Sequence, residues 1–253
     1  MQKETQQPEG LLEGKNAVWE ALKAEKPIEK ILLAKTIQQE SVRGITGLAR
    51  ARKIKVEFVP KERLDSLSST GKHQGVIALS AAQEYAVFED TLAAIAASGK
   101  APLVVLLDEV QDPHNLGAIV RTAECAGAQA VVIPQHNSAG LTPAAGRASA
   151  GAVAHVPVCR VVNLVAAIER LKELGYWVVG ADMEGTLAYE VDFTGPIALV
   201  VGGEDKGLRR LTRENCDHIA RLPMLGQLNS LNASVAAGVL LYEVVRQRTA
   251  GGR

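Results

Sequence analysis

"DPHNLGAIVRTAECAG", residues 112–127, reads as a strand-to-helix connection that opens on an Asp-Pro turn and stops at Gly127. Leu116, Ile119, Val120 and Ala123 fall at i, i+3, i+4 and i+7, the apolar stripe of a helix laid on a core. Asn115 is placed to cap its start. Arg121 lies roughly 140° around the helix from Leu116, off the stripe that packing accounts for. On either side stand short apolar runs, "PLVVLL" and "AVVIP", bounded by turns. Strand, helix, strand in that order is the unit from which parallel sheets are built.

The alternation continues outward. After the strand at 103–107, the helix at 116–126 and the strand at 130–134 come a Gly/Ala/Ser-rich stretch, 138–152, and a helix over 163–174. Strands "YWVVGAD" and "IALVVGG", a short helix around "RRLTRENC", a strand end at "RLPM" and a long helix, 231–247, complete this part. The long helix carries Leu231, Val235, Gly238, Tyr242 and Val245 at spacings of 4 and 3, which predicts one buried face. Upstream, "GKNAVWEALKA", "QQESVRGITGLARAR" and "KERLDSLS" read as helices, and "EKILLA", "KIKVEFV" and "GVIALSA" as strands. The expected fold class is α/β, a small N-terminal α/β domain followed by a parallel-sheet domain with helices on both faces. The expected divisions are a flexible tail over 1–8, a first domain over 9–81, a linker with one helix ("TLAAIAASG") over 82–102, and a second domain over 103–253. No internal repeat is found.

Composition narrows the classes. With 47% apolar residues in 253, the chain buries a sizeable core. Cys125, Cys159 and Cys216 are scattered and odd in number, which points to a reducing compartment, a cytoplasmic location and no disulfide framework. The apolar runs are far too short to cross a membrane, and "MQKETQQPEG" lacks the apolar core of a secretory signal. His73, His114, His136, His155 and His218 show no zinc-ligand spacing, so no metal is expected. Net charge is zero, but the first 80 residues hold 14 Lys/Arg against 10 Asp/Glu, concentrated around Arg50–Lys55 and at Lys61 and Arg63. These read as a solvated helix end and strand edge, or as an RNA-facing patch. No dinucleotide-binding or P-loop glycine pattern and no nucleophile elbow is present. Cys216, beside Asp217 and His218, reads as a surface turn of a short helix rather than a nucleophile.

Three polar clusters fall where open α/β sheets bind ligands, at the carboxyl ends of expected strands. They are Asn115 with Arg121; Gly202, Gly203 and Glu204 in "VVGGEDKG"; and Ser230 with Asn232 in "NSLNAS". Singly each has a structural explanation, as cap, turn glycine or solvated charge. Together, "DPHNLGAIVRTAECAGAQAVVIP", "ALVVGGEDKGLRRLTRENCDHIARLPM" and "LNSLNASVAAGVLLYEVVRQR" resemble motifs 1, 2 and 3 of the SpoU/TrmH family of RNA ribose 2′-O-methyltransferases, in family order. "LEGKNAVWEALKA" and "GKHQGVIALSA" resemble the N-terminal RNA-binding domain of the family's 23S rRNA guanosine branch.

The resemblance implies a catalytic domain with a deep trefoil knot, S-adenosylmethionine as cofactor, and a homodimer with shared active sites. It carries cofactor contacts onto Gly202, Leu222 and Leu231, and the catalytic set onto Asn115, Arg121, Glu204, Ser230 and Asn232. In this reading Arg121 polarises the ribose hydroxyl and stabilises charge growing on its oxygen. A guanidinium hardly deprotonates, so the proton leaves to phosphate or water. Glu204 and Asn115 are expected to orient Arg121, and Ser230 and Asn232 to cap the last helix while holding the loop after the strand. Relatives with E-G-x-G contrast with Glu204-Asp205-Lys206-Gly207 here, a change expected to stiffen that loop or to remove a left-handed backbone conformation. Leu222-Pro223-Met224 and Ser230-Leu231-Asn232-Ala233-Ser234 depart from the family's pattern by changes that are conservative in volume. The implied partner is RNA, a guanosine of large-subunit rRNA, with tRNA and a non-catalytic ribosome-assembly role as alternatives. Trp19, Phe58 and Tyr85 are the candidates for stacking on bases.

Overall fold

The computed structural model of the chain describes residues 10–68, 70–204 and 207–250. The expected tail over 1–8 and the expected stiffening at Asp205 therefore lie outside the described residues. Contacts divide the chain into two compact units, Met1–Glu84 with Gly140–Pro143 and Tyr85–Ala139 with Ala144–Arg253.

The first unit runs β1 (Leu11–Glu13), α1 (Lys15–Lys23), β2 (Ile28–Ala34), α2 (Arg43–Ala51), β3 (Lys55–Val59), α3 (Lys61–Leu67) and β4 (Val76–Ser80). Its sheet has the order β1-β4-β2-β3. Alternate residues of β2 feed two cores: Ile31 and Leu33 pack with α1 and α2, while Leu32 and Ala34 pack with Leu64 of α3. The three-residue β1 was not expected, being too short for a period to register.

The second unit runs α4 (Phe88–Ala97), β5 (Leu103–Asp108), α5 (Pro113–Cys125), β6 (Ala130–Pro134), α6 (Pro143–Ala148), β7 (Val158–Val161), α7 (Leu164–Glu173), β8 (Trp177–Leu187), β9 (Ile197–Gly202), α8 (Arg210–Glu214), β10 (His218–Arg221) and α9 (Ala233–Ala250). All six strands pair in parallel, in the order β10-β8-β9-β5-β6-β7. β5, β6 and β9 are buried at every position, as expected of strands covered on both faces. The chain moves outward from β5 through β6 and β7, then returns to lay β9 between β8 and β5. The crevice at the carboxyl ends of β5 and β9 sits at that reversal.

Four expectations are corrected. Residues 88–90, read as linker, open α4. β7 was missed, because a four-residue edge strand offers too few positions for a pattern. The "RLPM" strand stops at Arg221, where Pro223 can neither donate to a ladder nor leave Leu222 unrestricted. The predicted face of α9 is not the buried one. Val235 and Tyr242 are about half exposed, and Ala237, Leu240, Leu241 and Val244 turn inward instead. The helix is apolar on both sides, so periodicity alone could not choose between them. At its far end Arg248 donates to the carbonyls of Ala101, Pro102, Phe193 and Gly195, tying α9 to the starts of β5 and β9.

Candidate active site

The site is assembled from three loops at the carboxyl ends of β5, β9 and β10. Asn115 does not cap α5. Asp112 does, its Oδ1 accepting the His114 N–H at 2.9 Å, with Pro113 in the first turn. Asn115 is the third helical residue and is buried, freed by that cap to point its amide elsewhere. Its Nδ2 donates to Glu204 Oε1 at 2.5 Å.

Glu204 follows two glycines that are obligatory for packing. A Cβ on Gly202 would collide with the Gly207 carbonyl group, and one on Gly203 would lie 2.5 Å from the Glu109 carbonyl oxygen. Gly207 has φ +61° and bridges back to Gly203, its N–H donating at 3.0 Å to the Gly203 carbonyl. The loop is then anchored by Asp108, the last residue of β5 and fully buried. Its Oδ2 accepts the Arg209 N–H at 2.9 Å and its Oδ1 the Arg209 Nε–H at 2.6 Å. Sequence reasoning missed this pair. The available signal was an acidic residue closing the run "LVVLLD", where a buried strand tolerates charge only with a partner.

Asn232 joins the third loop. Its Oδ1 accepts from Ser234 N at 3.0 Å and Ser234 Oγ at 2.6 Å, which caps α9. With the oxygen committed, Nδ2 must face the other way, and it donates to Glu204 Oε1 at 2.5 Å and Asn115 Oδ1 at 3.1 Å. Asn115, Glu204 and Asn232 therefore form a closed triangle in which both amides donate to one carboxylate oxygen.

Beside this triangle opens a cleft of about 340 Å³ whose lining includes Gly202, Glu204, Leu222, Ser230 and Leu231, together with Asp182 of β8. All three positions expected to touch a cofactor, and two of the five in the expected catalytic set, thus meet in one cleft. A second cleft, lined by Glu109, Asp112 and Asn115, shares Gly203, Glu204 and Gly207 with the first. Arg121 stands apart. It is exposed on α5, about 9 Å along the axis from Asn115, and among the described residues it makes no hydrogen bond or ion pair. The structure thus joins Glu204 and Asn115 to Asn232 rather than to Arg121.

Cys216 is not on a surface turn. It packs against the second unit's core and lies 3.3 Å from the Thr212 carbonyl. Burial, with Asp217 adding to it, pushes its thiol up to about 12, so no thiolate nucleophile forms there. Of the stacking candidates, Trp19 is partly buried against the first unit's core, Phe58 is 48% exposed, and Tyr85 lies under the Arg160 guanidinium at 4.1 Å. Among the described residues no helix is long and apolar enough to cross a membrane.

Comparison with known proteins gives this geometry a lineage. Residues 102–242 match the SpoU rRNA Methylase family, and residues 11–86 match the family described as RNA 2′-O ribose methyltransferase substrate binding. YacO of Bacillus subtilis, whose name places it in the TrmH family of tRNA/rRNA methyltransferases, is 45% identical over 240 residues, 94% of this chain and 96% of that one. Among solved structures, the SpoU methyltransferase AviRb from Streptomyces viridochromogenes, in complex with AdoMet, superposes with a TM-score of 0.60 at 28% identity, covering 95% of this chain and 91% of that one. An AdoMet-bound rRNA methyltransferase from Sinorhizobium meliloti gives 0.59 at 26% identity, over 94% and 87%. The chain belongs to the SpoU family of RNA methyltransferases.

Proposed function

We propose that the protein methylates a ribose 2′-hydroxyl of RNA from S-adenosylmethionine, on a guanosine of large-subunit rRNA. The observation that carries this reading is the meeting of the cleft with the Asn115–Glu204–Asn232 triangle. The cleft fits such a cofactor. Its volume is in the range of small-molecule sites, and it is floored by glycine backbone that no Cβ may obstruct. Its walls combine aliphatic side chains, Leu222 and Leu231, for an adenine ring with two carboxylates, Asp182 and Glu204, for cationic groups. AdoMet in the AviRb and S. meliloti structures supports the same ligand here.

When bound, the cofactor supplies an electrophilic methyl on a sulfonium; the ribose oxygen takes the methyl, the sulfur keeps the bonding electrons, and the hydroxyl proton leaves to phosphate or water. The protein's part is alignment and charge. Asn115 and Asn232 hold the Glu204 carboxylate, and with it the loop forming one wall of the cleft. Arg121, without a partner among the described residues, is available to substrate phosphate and to the oxygen as it becomes anionic. Ser230 lines the cleft, and the cap of α9 expected of it is made by Asn232 instead.

The exposed apolar stripe of α9, Val235, Val239 and Tyr242, supports a homodimer built on that face. The late insertion of β9 between β8 and β5 is compatible with the trefoil knot implied by the family resemblance. A cytoplasmic location accords with an rRNA substrate. The test is transfer of labelled methyl to unmodified large-subunit rRNA and, in parallel, to bulk tRNA. Label at one ribose of rRNA, with cofactor still bound but turnover reduced about 10²–10³-fold in Arg121→Ala, is expected. Label in tRNA alone refutes the rRNA assignment, and full turnover by Arg121→Ala refutes the role given to that residue.

A further inference from the structure

Direct methyl transfer brings the accepting oxygen to about 3–3.5 Å from the methyl carbon, so the pockets for donor and acceptor must share a wall. The cleft assigned above to S-adenosylmethionine shares Gly203, Glu204 and Gly207 with the second cleft, whose volume of about 440 Å³ is in the range of small-molecule sites. The rest of that second lining comes from one segment, residues 109–112 with Asn115, between the end of β5 and the first turn of α5. Among the described residues no lysine or arginine lines it, and its side chains offer three carboxylates and two amides. Such a wall repels phosphate and suits a ligand that presents hydrogen-bond donors. The carboxylates do not converge on a cation: among the described residues no three His, Cys, Asp or Glu side chains are grouped to hold a metal ion.

The three carboxylates are not equivalent. Asp112 spends Oδ1 on the cap of α5, and Glu204 spends Oε1 on Asn115 and Asn232. Glu109 is bonded only loosely. Its Oε1 lies 3.4 Å from Asn137 Nδ2 and 3.8 Å from Arg209 Nε, whose proton goes to Asp108 at 2.6 Å. Its Oε2 makes no hydrogen bond or ion pair among the described residues. Yet only 21% of the side chain is exposed, so the carboxylate has given up water without a strong replacement.

The backbone of Glu109, by contrast, is pinned. Its φ is +61°, a left-handed conformation unfavourable to a residue with a Cβ. Bonds on either side fix it: Gly203 N–H donates to the Asp108 carbonyl and Ala139 N–H to the Val110 carbonyl, both at 2.8 Å. Non-glycine residues kept in this region collect at ligand clamps, and glycine in the same place would carry no strain.

We propose that the second cleft receives the base of the target nucleotide and that Glu109 reads it as guanine, its carboxylate accepting both N1–H and the 2-amino group. The proposal rests on the RNA-methylation reading above and deepens it by naming the side chain that selects the base. Guanine is the RNA base with two neighbouring donors on its pairing edge. Adenine and cytosine set one donor beside a bare ring nitrogen, and uracil sets one between two carbonyls, so a fork of two acceptor oxygens meets repulsion from each.

The test uses the full chain and rRNA transcripts carrying guanosine, inosine or adenosine at the ribose mapped by the transfer assay. Inosine keeps N1–H and lacks only the 2-amino group. The wild type should favour guanosine over inosine about tenfold in kcat/KM, and adenosine should be methylated least. Glu109→Gly removes the carboxylate and relieves the left-handed strain, so the melting temperature should hold or rise. That variant should lose about 10–100-fold with guanosine through KM, with kcat little changed, and its guanosine-to-inosine ratio should collapse to about one. Its S-adenosylmethionine affinity should stay at the wild-type value, because Glu109 does not line that cleft. A general disturbance of the site would instead lower every substrate alike and keep the ratio. A wild type indifferent to the 2-amino group, or Glu109→Gly with the wild-type ratio, overturns the assignment. Label mapped to the ribose of another base overturns it too, while leaving methyl transfer standing. No transfer to any RNA overturns the functional reading beneath it and the base reader with it, a separate and distinguishable failure.

Discussion

Asn232→Asp separates two roles that coexist in one side chain. Aspartate caps a helix about as well as asparagine, and a carboxylate at the positive end of α9 gains about 0.3–1 kcal/mol from the helix dipole. A residue that only capped would therefore tolerate the change or improve on it. Here, however, the oxygen is committed to Ser234, so the substitution replaces the Nδ2 donor with a second oxygen facing Glu204 Oε1, 2.5 Å away in the native geometry. Losing a bond to a charged acceptor costs about 1.5–3 kcal/mol, taken at the low end because both side chains are exposed. Two unit charges about 2.5–3 Å apart repel by about 1.5 kcal/mol at the dielectric of water. The sum, about 3 kcal/mol, is roughly a hundredfold in cofactor affinity if the loop carrying Glu204 must be restored for binding. Titration calorimetry with S-adenosylmethionine at neutral pH measures it, with thermal unfolding alongside. The new carboxyl pair has a raised pKa in the fold, so the penalty stands at neutral pH and fades as pH falls through that raised value, when a shared proton restores a donor. Wild-type affinity together with an unchanged melting temperature would show the triangle to be incidental to the site.

Gly202→Ala drives a methyl into the Gly207 carbonyl group, so the loop must move, and cofactor binding should fall below detection by calorimetry while the far-ultraviolet spectrum is kept. Arg209→Ala leaves the buried Asp108 carboxylate with one backbone donor; Arg209 is 44% exposed, so water enters and the loss should be about 1.5–3 kcal/mol by urea unfolding, with strong coupling to Asp108→Asn. Bonds from Arg246, and then Gln247, hold the Glu243 carboxyl below its ordinary range. Its stabilisation is present above the unfolded carboxylate pKa and lost as pH falls through the lowered one, so Glu243→Gln should flatten the acid limb of the stability profile; an unaltered limb would contradict this. If α9 carries the proposed homodimer, Val235→Glu with Tyr242→Glu, which places charge on its open stripe, should shift sedimentation from dimer to monomer without lowering monomer stability.

Much of this architecture was legible because fully buried parallel strands announce themselves: "LVVLL", "AVVIP" and "IALVV" admit few other readings. The helix at 113–125 was equally clear from Leu116, Ile119, Val120 and Ala123, although its cap was misassigned to Asn115 because Asp112 looked like part of a turn. The polar clusters could be listed but not joined. That Glu204 meets Asn115 and Asn232 depends on how β9 enters the sheet, which no local pattern encodes. Arg121 was rightly set off the core stripe, and the partner expected for it within the chain is absent among the described residues. The face of α9 was misread for a related reason: apolar residues wanted by two surfaces look alike to a period.

Every bond that closes the site is long in sequence. Asn115 and Glu204 are 89 residues apart, Asp108 and Arg209 are 101, and Asn115 and Asn232 are 117. Such pairings carry a heavy loop-closure entropy and form late. On the ribosome, β5 and β6 can pair as soon as they emerge, but the other edge of β5 stays bare until β9 arrives some 90 residues later, an open apolar strand of the kind that invites mispairing. Nascent chains that stop short of Asn232 would therefore hold every strand of the sheet but only the Asn115–Glu204 side of the triangle, so the site is incomplete until the approach to the last helix is made.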